Sequence, residues 1–547
     1  EFSLRNYHFS SFIICAAASF AFLVVIYSLV FMQNRKKSGQ FYFYLLISLF
    51  LVNGAVLADN LLLMLFFWEG LLVTLFGMIY IGGRDSFKTA IKAFVIVGVS
   101  DLCMMVGIAL TGKLSGTLAI SQINLSLAGP AVIAFILLMI GAISKAGSMP
   151  FHSWIPDAAS DAPLPFMAFL PASLEKLLGI YFLARISLDM FKLDPGSSVS
   201  MILMVIGCIT IILAVMMALV QKDYKRLLSY HAISQVGYMV LGIGTALPIG
   251  IVGGLFHMIN HAMYKSCLFL TGGSVEKQAG TTDLNKLGGL GRNMPVTFVC
   301  FLIAAASISG VPPFNGFFSK ELVYDASLER GVLFYFFAVV GSFFTAASFL
   351  KLGHAVYLGK INQENQNVKE ASWPMLFPMI VLALLCVLFG ICNWIPLRHL
   401  IQPILGLKLE GKDFSGFPAN IKLIVISVAL LFTALVNHIL NVKIKGSSLK
   451  SSDYIRYAPG LSGIYAKAEK GFFDPYNIGL KLADYVARIC WSIDRGVDWV
   501  YSGLAAASAR KLSLGLKNMH TGNYSLYLSW SVLGAFLLII FMTVFVK

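Results

Sequence analysis

Two lysines lie inside apolar runs long enough to cross a bilayer: Lys145 in GAISKAGSMPFHSW and Lys320 in SISGVPPFNGFFSKE. A lysine at bilayer depth costs about 2.5–3.5 kcal/mol on insertion scales, so one that is retained there is a functional candidate. Desolvation disfavours its charged form, and a nearby carboxylate restores it. Moving a carboxylate's influence toward or away from such a lysine makes it take up and release a proton. Glu69 in LLLMLFFWEGLLVTLF and Asp101 in VIVGVSDLCMMVG can serve Lys145 in this way; a static ion pair is the plain structural alternative. Pro150 and Pro156 follow Lys145, and Pro312 and Pro313 precede Lys320. Each proline can open a helix and expose carbonyls beside the lysine. An opened helix at membrane depth is tolerated only where protein or a water-filled cavity satisfies the freed groups.

Other titratable residues recur in apolar runs. His257, His261 and Lys265 are spaced by four in FHMINHAMYKSCLF. That spacing puts them on one helix face with a total rise of about 12 Å. Three such groups in register read as a proton relay. Glu175 and Lys176 are neighbours in PASLEKLLGIYFLAR and point about 100° apart on a helix. They stay open between function and structure. Glu321 follows Lys320, and His231 begins a later run. Lys351 and His354 sit near a helix end, where a snorkelling side chain accounts for them. A buried lysine beside a broken helix thus occurs twice, 175 residues apart, which points to a duplicated ion pathway.

The elements that must position these residues are membrane helices. Of 547 residues, 58% are hydrophobic and 12% charged; a soluble chain carries about 25% charged residues. Fourteen spans are predicted, at roughly 10–32, 41–58, 60–81, 89–111, 129–158, 164–188, 198–220, 227–247, 249–273, 295–326, 332–356, 374–394, 419–441 and 525–546. The fifth and tenth are the interrupted ones. Arg35, Lys36 and Lys37 follow the first span, Arg84 and Lys88 the third, and Lys222, Lys225 and Arg226 the seventh. Lys277, Lys286 and Arg292 follow the ninth, and Lys360 and Lys369 the eleventh. All fall on one side, predicted to be cytoplasmic; the 395–418 loop is a partial exception on the other. The net charge of +15 is therefore a matter of loops and gives no reason to expect a nucleic-acid partner.

Residues 442–524 break the alternation, with twelve Lys/Arg and six Asp/Glu. From 478 to 504 apolar residues recur every three or four positions, opposite Lys481, Asp484, Arg488, Arg495 and Asp498. This is an amphipathic helix expected along the membrane surface or against neighbouring subunits. The predicted organisation is a bundle over 1–441, a lateral segment over 442–524 and a terminal anchor over 525–547. The eight cysteines form no CxxC or Cys/His cluster, and neither a Rossmann nor a Walker pattern occurs. No cofactor is expected in this chain.

At these residues the chain resembles the antiporter-like subunits of respiratory complex I, energy-converting membrane hydrogenases and Mrp sodium/proton antiporters. The matching stretches are FFWEG, GAISKAGSMPFHSWIPDA, QKDYKRLLSYHAISQVGYM, GLFHMINHAMYKSCLFLTGGS and GVPPFNGFFSKE, across about residues 60–325. The resemblance implies an all-α polytopic bundle with two inverted repeats containing broken helices. It implies that Glu69 is the family's glutamate beside the first broken helix, with Asp101 and Lys145 as partner carboxylate and channel lysine. His257, His261 and Lys265 match the central hydrophilic axis, and Lys320 the lysine of the second broken helix. The family's glutamate usually lies in the fifth span, so about two further helices are expected before the first. Where complex I subunits usually carry a histidine after the first broken helix, this chain has Pro171, closer to the hydrogenase branch. Glu175 or Lys176 is the candidate replacement.

The leading expectation is a proton-translocating subunit of a redox-driven complex in the cytoplasmic membrane, without a redox centre of its own. Its expected partners are sister membrane subunits contacted by the lateral helix, a peripheral redox module and the lipid bilayer. Membership of an Mrp-type Na⁺/H⁺ antiporter is the alternative. A structural clamp, holding sister subunits through the lateral segment, is a third reading that can coexist with either. Lys145 is expected to be the switchable site and Lys320 the terminal relay.

Overall fold

The computed structural model describes residues 3–83 and 85–545; Arg84, one of the orienting charges above, lies outside them. The chain is helical nearly throughout. Its strand content among the described residues is two parallel dipeptides, Leu125–Ser126 against Phe191–Lys192. It divides into two units, residues 1–476 and 477–547.

The first unit opens with four apolar helices, α1 (His8–Phe31), α2 (Ser38–Leu57), α3 (Leu61–Tyr80) and α4 (Ser86–Ser115). A broken pair follows, α5 (Pro130–Ala146) and α6 (Trp154–Asp161), and then a continuous run from α7 (Leu164–Phe169) into α8 (Glu175–Arg185). Next come α9 (Ser198–Val220), α10 (Tyr224–Gly244) and α11 (Pro248–Ala279). The second broken pair is α12 (Pro295–Ser309) and α13 (Asn315–Arg330). After α14 (Val332–Tyr357) and α15 (Trp373–Ile391), two short pieces, α16 (Trp394–Pro396) and α17 (Gln402–Leu405), lead to α18 (Ile421–Lys445). Short helices α19 (Asp453–Arg456) and α20 (Leu461–Glu469) complete the unit.

Ten helices among the described residues are long and apolar enough to cross a membrane, and α5 and α12 are shorter apolar helices. Two predicted spans, α10 and α11, form as long helices that fall outside these sets because they carry the polar residues. Burial explains the difference. The span Leu164–Met190 is enclosed over its whole apolar window, whereas α18 buries 22% of its own. From Gly250 to Val275 every residue of α11 is buried. The polar helices α10 and α11 are thus largely surrounded by other helices. The apolar ones form the outer layer, exposing Phe22, Phe50, Phe66 and Phe432 as a lipid-facing surface requires.

Both predicted breaks occur, but glycine ends the helix before proline is reached. Gly147 (φ 78°) closes α5 and Gly310 (φ 83°) closes α12. At each, the next amide bonds back to a carbonyl five residues earlier: Ser148 to Ile143 at 2.9 Å and Val311 to Ala306 at 2.9 Å. This left-handed cap favours glycine because a Cβ is strained at such φ. Pro156 lies inside α6 rather than in the break.

The second unit contains most of α21 (Pro475–Asp498), a π-helical stretch at Trp499–Ala505, α22 (Ala506–Met519) and α23 (Tyr524–Phe545). No residue of these helices is buried. The sequence starts α21 where it does because Pro475 fits the first helical position and the Asp474 carboxylate accepts from the Tyr476 amide at 3.0 Å.

Candidate functional site

The first cluster joins α3, α4, α5 and α8. Trp68 organises it. Its indole donates to Asp101 Oδ1 at 2.9 Å, and its carbonyl accepts from Lys145 Nζ at 3.4 Å. Lys145 Nζ also lies 3.9 Å from Asp101 Oδ2 and 5.1 Å from the indole centroid. Lys145 and Asp101 are each 1% exposed. Two unit charges at this separation attract by about 4 kcal/mol at an effective dielectric of 20. Glu69, one residue after Trp68, is half-buried and within the electrostatic reach of Lys145. The expected triad of Glu69, Asp101 and Lys145 is therefore assembled, with Asp101 the direct partner. Residue type alone does not single out Trp68, though it lies within FFWEG.

Glu175 and Lys176 follow a π-helical turn, Leu170–Leu174, that contains Pro171. Proline removes an amide donor and crowds the preceding turn, which widens. The Ala168 carbonyl then accepts from Ser173 Oγ at 3.2 Å and Ser266 Oγ at 2.8 Å. Lys176 points at the first break: a Cβ added to Gly147 would lie 2.9 Å from its Nζ. Glu175 interacts electrostatically with both Lys176 and Lys145.

The second cluster lies on α10 and α11. His257 is fixed on both ring nitrogens, by Ser319 Oγ at 2.9 Å on one side and by Gln235 Oε1 at 3.1 Å and Tyr264 Oη at 3.2 Å on the other. His261 and Lys265, each 0% exposed, lie within electrostatic reach of each other and of Lys176. His231 bonds Ser348 Oγ at 2.8 Å.

The third cluster surrounds the second break. Lys320 Nζ donates to the Ile308 carbonyl at 2.8 Å and to Ser342 Oγ at 2.9 Å, and lies 4.9 Å from the Tyr238 ring centroid. Tyr238 Oη at 3.1 Å and Tyr324 Oη also bond Ser342. The two breaks are locally alike, but their lysines are placed differently. Lys145 stands two residues before its glycine on the first half-helix. Ile308 holds the corresponding place in the second, and Lys320 reaches its carbonyl from the other half-helix. Glu321 and Ser427 of α18 line the same small cavity, which has room for about one water.

Several of these enclosed atoms have no protein hydrogen-bond partner among the described residues. They are Asp101 Oδ2, Glu175 Oε2, Lys176 Nζ, both nitrogens of His261, Lys265 Nζ and both oxygens of Glu321. More than nine in ten buried polar groups are normally paired, so this concentration singles out the site. Lys351 and His354 depart from the snorkelling expectation. Lys351 is 2% exposed and its Nζ donates to the carbonyls of Leu219 and Gln221, the latter at 3.0 Å; His354 bonds His438. The stretch 219–221 ends α9 and leaves carbonyls for that amine to satisfy.

Near the start of α4, Lys92 bridges Asp157 of α6 at 2.7 Å and Asp474 at 2.6 Å. Ser153 Oγ donates to Asp474 at 2.7 Å. Burial opposes the Asp474 charge, but the Lys92 and Ser153 hydrogen bonds outweigh it and hold the carboxyl below its ordinary range. The residue that caps α21 is thereby tied to the first broken helix.

Residues 58–345, which contain every one of the three clusters' titratable residues, match the model of the family described as NADH:quinone oxidoreductase/Mrp antiporter, transmembrane. The chain belongs to this family. Among curated relatives of this family member, an Na(+)/H(+) antiporter subunit from Staphylococcus haemolyticus is 32% identical over 456 residues, covering 75% of this chain and 56% of the relative. An Na(+)/H(+) antiporter subunit from Alkalihalophilus pseudofirmus is 33% identical over 428 residues, covering 71% and 52%. The chain thus spans about half the length of these relatives. Two solved structures share its fold. A chain of the Mrp complex from Dietzia sp. aligns with TM-score 0.68 and 21% identity, covering 75% of this chain and 85% of that one. A chain of the membrane-bound sulfane sulfur reductase, an archaeal respiratory membrane complex, aligns with TM-score 0.66 and 23% identity, covering 98% and 89%. The chain is a multi-pass, antiporter-like membrane subunit.

Proposed function

We propose that this chain is the ion-translocating subunit of an Mrp-type assembly and moves protons in exchange for Na⁺ through its enclosed charged row. The observation that carries the reading is that row itself. From the Lys145–Asp101 pair the row runs to Lys176, His261 and Lys265, whose amines and ring nitrogens are buried without a protein hydrogen-bond partner among the described residues. Lys145 holds a proton while Asp101 and Glu69 stabilise its charge and releases it when that stabilisation weakens. Lys176 and Glu175 pass it toward His261 and Lys265. His257 and Lys320 complete the path, with Glu321 beyond them. The names of the curated relatives favour Na⁺/H⁺ exchange over the redox-driven reading that the residues first suggest.

That redox reading keeps one specific support. A chain of an archaeal respiratory membrane complex shares the fold over 98% of this chain. Sister membrane subunits are the partners proposed for the unburied helices of residues 477–547. The 442–524 segment is proposed to act laterally on the cytoplasmic face, before a terminal anchor.

One experiment separates the readings. The purified assembly is reconstituted in liposomes, given a Na⁺ step without an electron donor, and followed with an internal pH dye. Na⁺-driven acidification or alkalinisation is expected. Proton movement that appears only when an electron donor is supplied would transfer the chain to a redox pump. No proton movement in either condition would refute translocation altogether.

A further inference from the structure

Helix α18 is mostly exposed, and its packed face is unexpectedly polar. Only Leu423, Ser427, Ala434 and His438 are buried on this helix, at spacings that form one stripe. Its two polar members each meet a titratable residue of the bundle. Ser427 shares a cavity with Glu321, and His438 Nε2 lies 3.2 Å from His354 Nδ1 of α14. An apolar pair would hold two membrane helices together without the cost of desolvating two imidazoles.

The partner helix carries a polar row that winds around it, each member next to the one before. On α14, Ser342, Thr345, Ser348, Lys351 and His354 recur at intervals of three. Residues so spaced are neighbours on a helix surface. All but His354 are buried, and His354, partly exposed, lies one turn from the helix end at Tyr357. Going inward, Lys351 is held by the carbonyls at the end of α9, Ser348 bonds His231 at 2.8 Å, and Ser342 bonds Lys320 at 2.9 Å. From His354 to Ser348 the rise is about 9 Å, a distance that Lys351 divides. Lys351, His354 and His438 lie beyond the family-matched residues 58–345.

We propose that His438 and His354 form a proton entrance at the α14–α18 interface, feeding His231 along the Lys351–Ser348 face of α14. An imidazole accepts a proton on one ring nitrogen and releases one from the other. His438 takes up a proton on Nδ1 and becomes imidazolium, and its Nε2 proton then moves to His354 Nδ1, leaving His438 neutral. His354 then releases its Nε2 proton inward to the lone pair of Lys351 in its neutral form, reached when the amine has passed a proton on toward Ser348 and His231, and the tautomers reset by rotation. No net charge stays on the pair after each passage. This inference rests on the translocation reading.

The test uses the assembled complex in liposomes under an imposed ion gradient. His354→Ala and His438→Ala should assemble, lose proton flux by about a hundredfold, the low end of what a positioned proton-transfer group contributes, and recover it when free imidazole is added. His354→Gln and His438→Gln, which keep a hydrogen bond but carry no exchangeable ring proton, should lose flux equally. Lys145→Ala is the control: its flux should fall without imidazole rescue. Full flux in the histidine variants, with Lys145→Ala defective, would overturn the entrance and leave translocation standing. Loss without rescue in the alanine variants would assign the pair a structural role and also overturn it. Full flux in Lys145→Ala would instead count against translocation.

Discussion

Replacing Lys145 with alanine is expected to stop ion translocation while leaving the complex assembled. Lys145 is the cation of a buried pair, 3.9 Å from Asp101, and Trp68 touches both partners. Removing the amine leaves a buried carboxylate facing a cavity, which normally costs about 3–5 kcal/mol if the carboxylate stays charged. Asp101 avoids this by keeping a proton, and the switch is then fixed in one state. A positioned proton-transfer group is worth about 10²–10⁴-fold in rate, so flux should drop by at least that lower bound. Lys145→Arg should not rescue it, because a guanidinium does not release its proton. Flux in proteoliposomes and subunit composition on a native gel read the two halves of this expectation.

Gly316→Ala carries the second large effect, and its sign distinguishes packing from propensity. Gly316 is the second residue of α13, in ordinary helical conformation, where alanine should favour the helix by about 1 kcal/mol. Here an added Cβ would lie 1.9 Å from the Ser307 carbonyl oxygen of α12. A comfortable C···O contact is about 3.3–3.6 Å, so the half-helices would have to part by roughly 1.5 Å. That movement stretches the Asn315–Ser307 bond, the 3.0 Å bonds from Asn260 Nδ2 to the Asn315 backbone carbonyl and from Asn315 Nδ2 to Asn260 Oδ1, and the reach of Lys320 to Ile308. Overpacking of this kind costs about 1–3 kcal/mol. A displacement of about 1 Å at a proton-transfer site can lower rate about a hundredfold. Thermal unfolding of the purified complex should shift downward, and flux should fall with it. Unchanged flux and a raised unfolding temperature would mean that α12 and α13 are not packed as described.

The membrane elements are legible in the sequence because apolar length and flanking charge are local signals. Span boundaries fall within a few residues of those expected. The breaks are legible as places, but their cause is not. Prolines mark them in the sequence, whereas Gly147 and Gly310 end the half-helices through a backbone conformation that residue type alone does not declare. Titratable site residues stand out as rare charges in apolar runs. Their neutral partners do not, since Trp68, Gln235, Ser342 and Ser348 are ordinary residues until folding brings them to Asp101, His257, Lys320 and His231. Lys351 and His354 mislead for a related reason. Proximity to a helix end looks the same in sequence whether the side chain reaches water or a neighbouring helix's carbonyls.

The central claim is that the three clusters form one path, joined by the pair His261 and Lys265 between Lys176 and His257. The decisive measurement is Na⁺-driven proton flux of the reconstituted complex carrying His261→Leu with Lys265→Met. These apolar replacements of similar size should preserve packing while removing both the imidazole and the amine at the junction. A connected path predicts flux below about a tenth of the wild-type value, with intact assembly, since proton-transfer groups contribute about 10²-fold or more. Wild-type flux in this variant would show that the two broken helices work separately, and would contradict the single path.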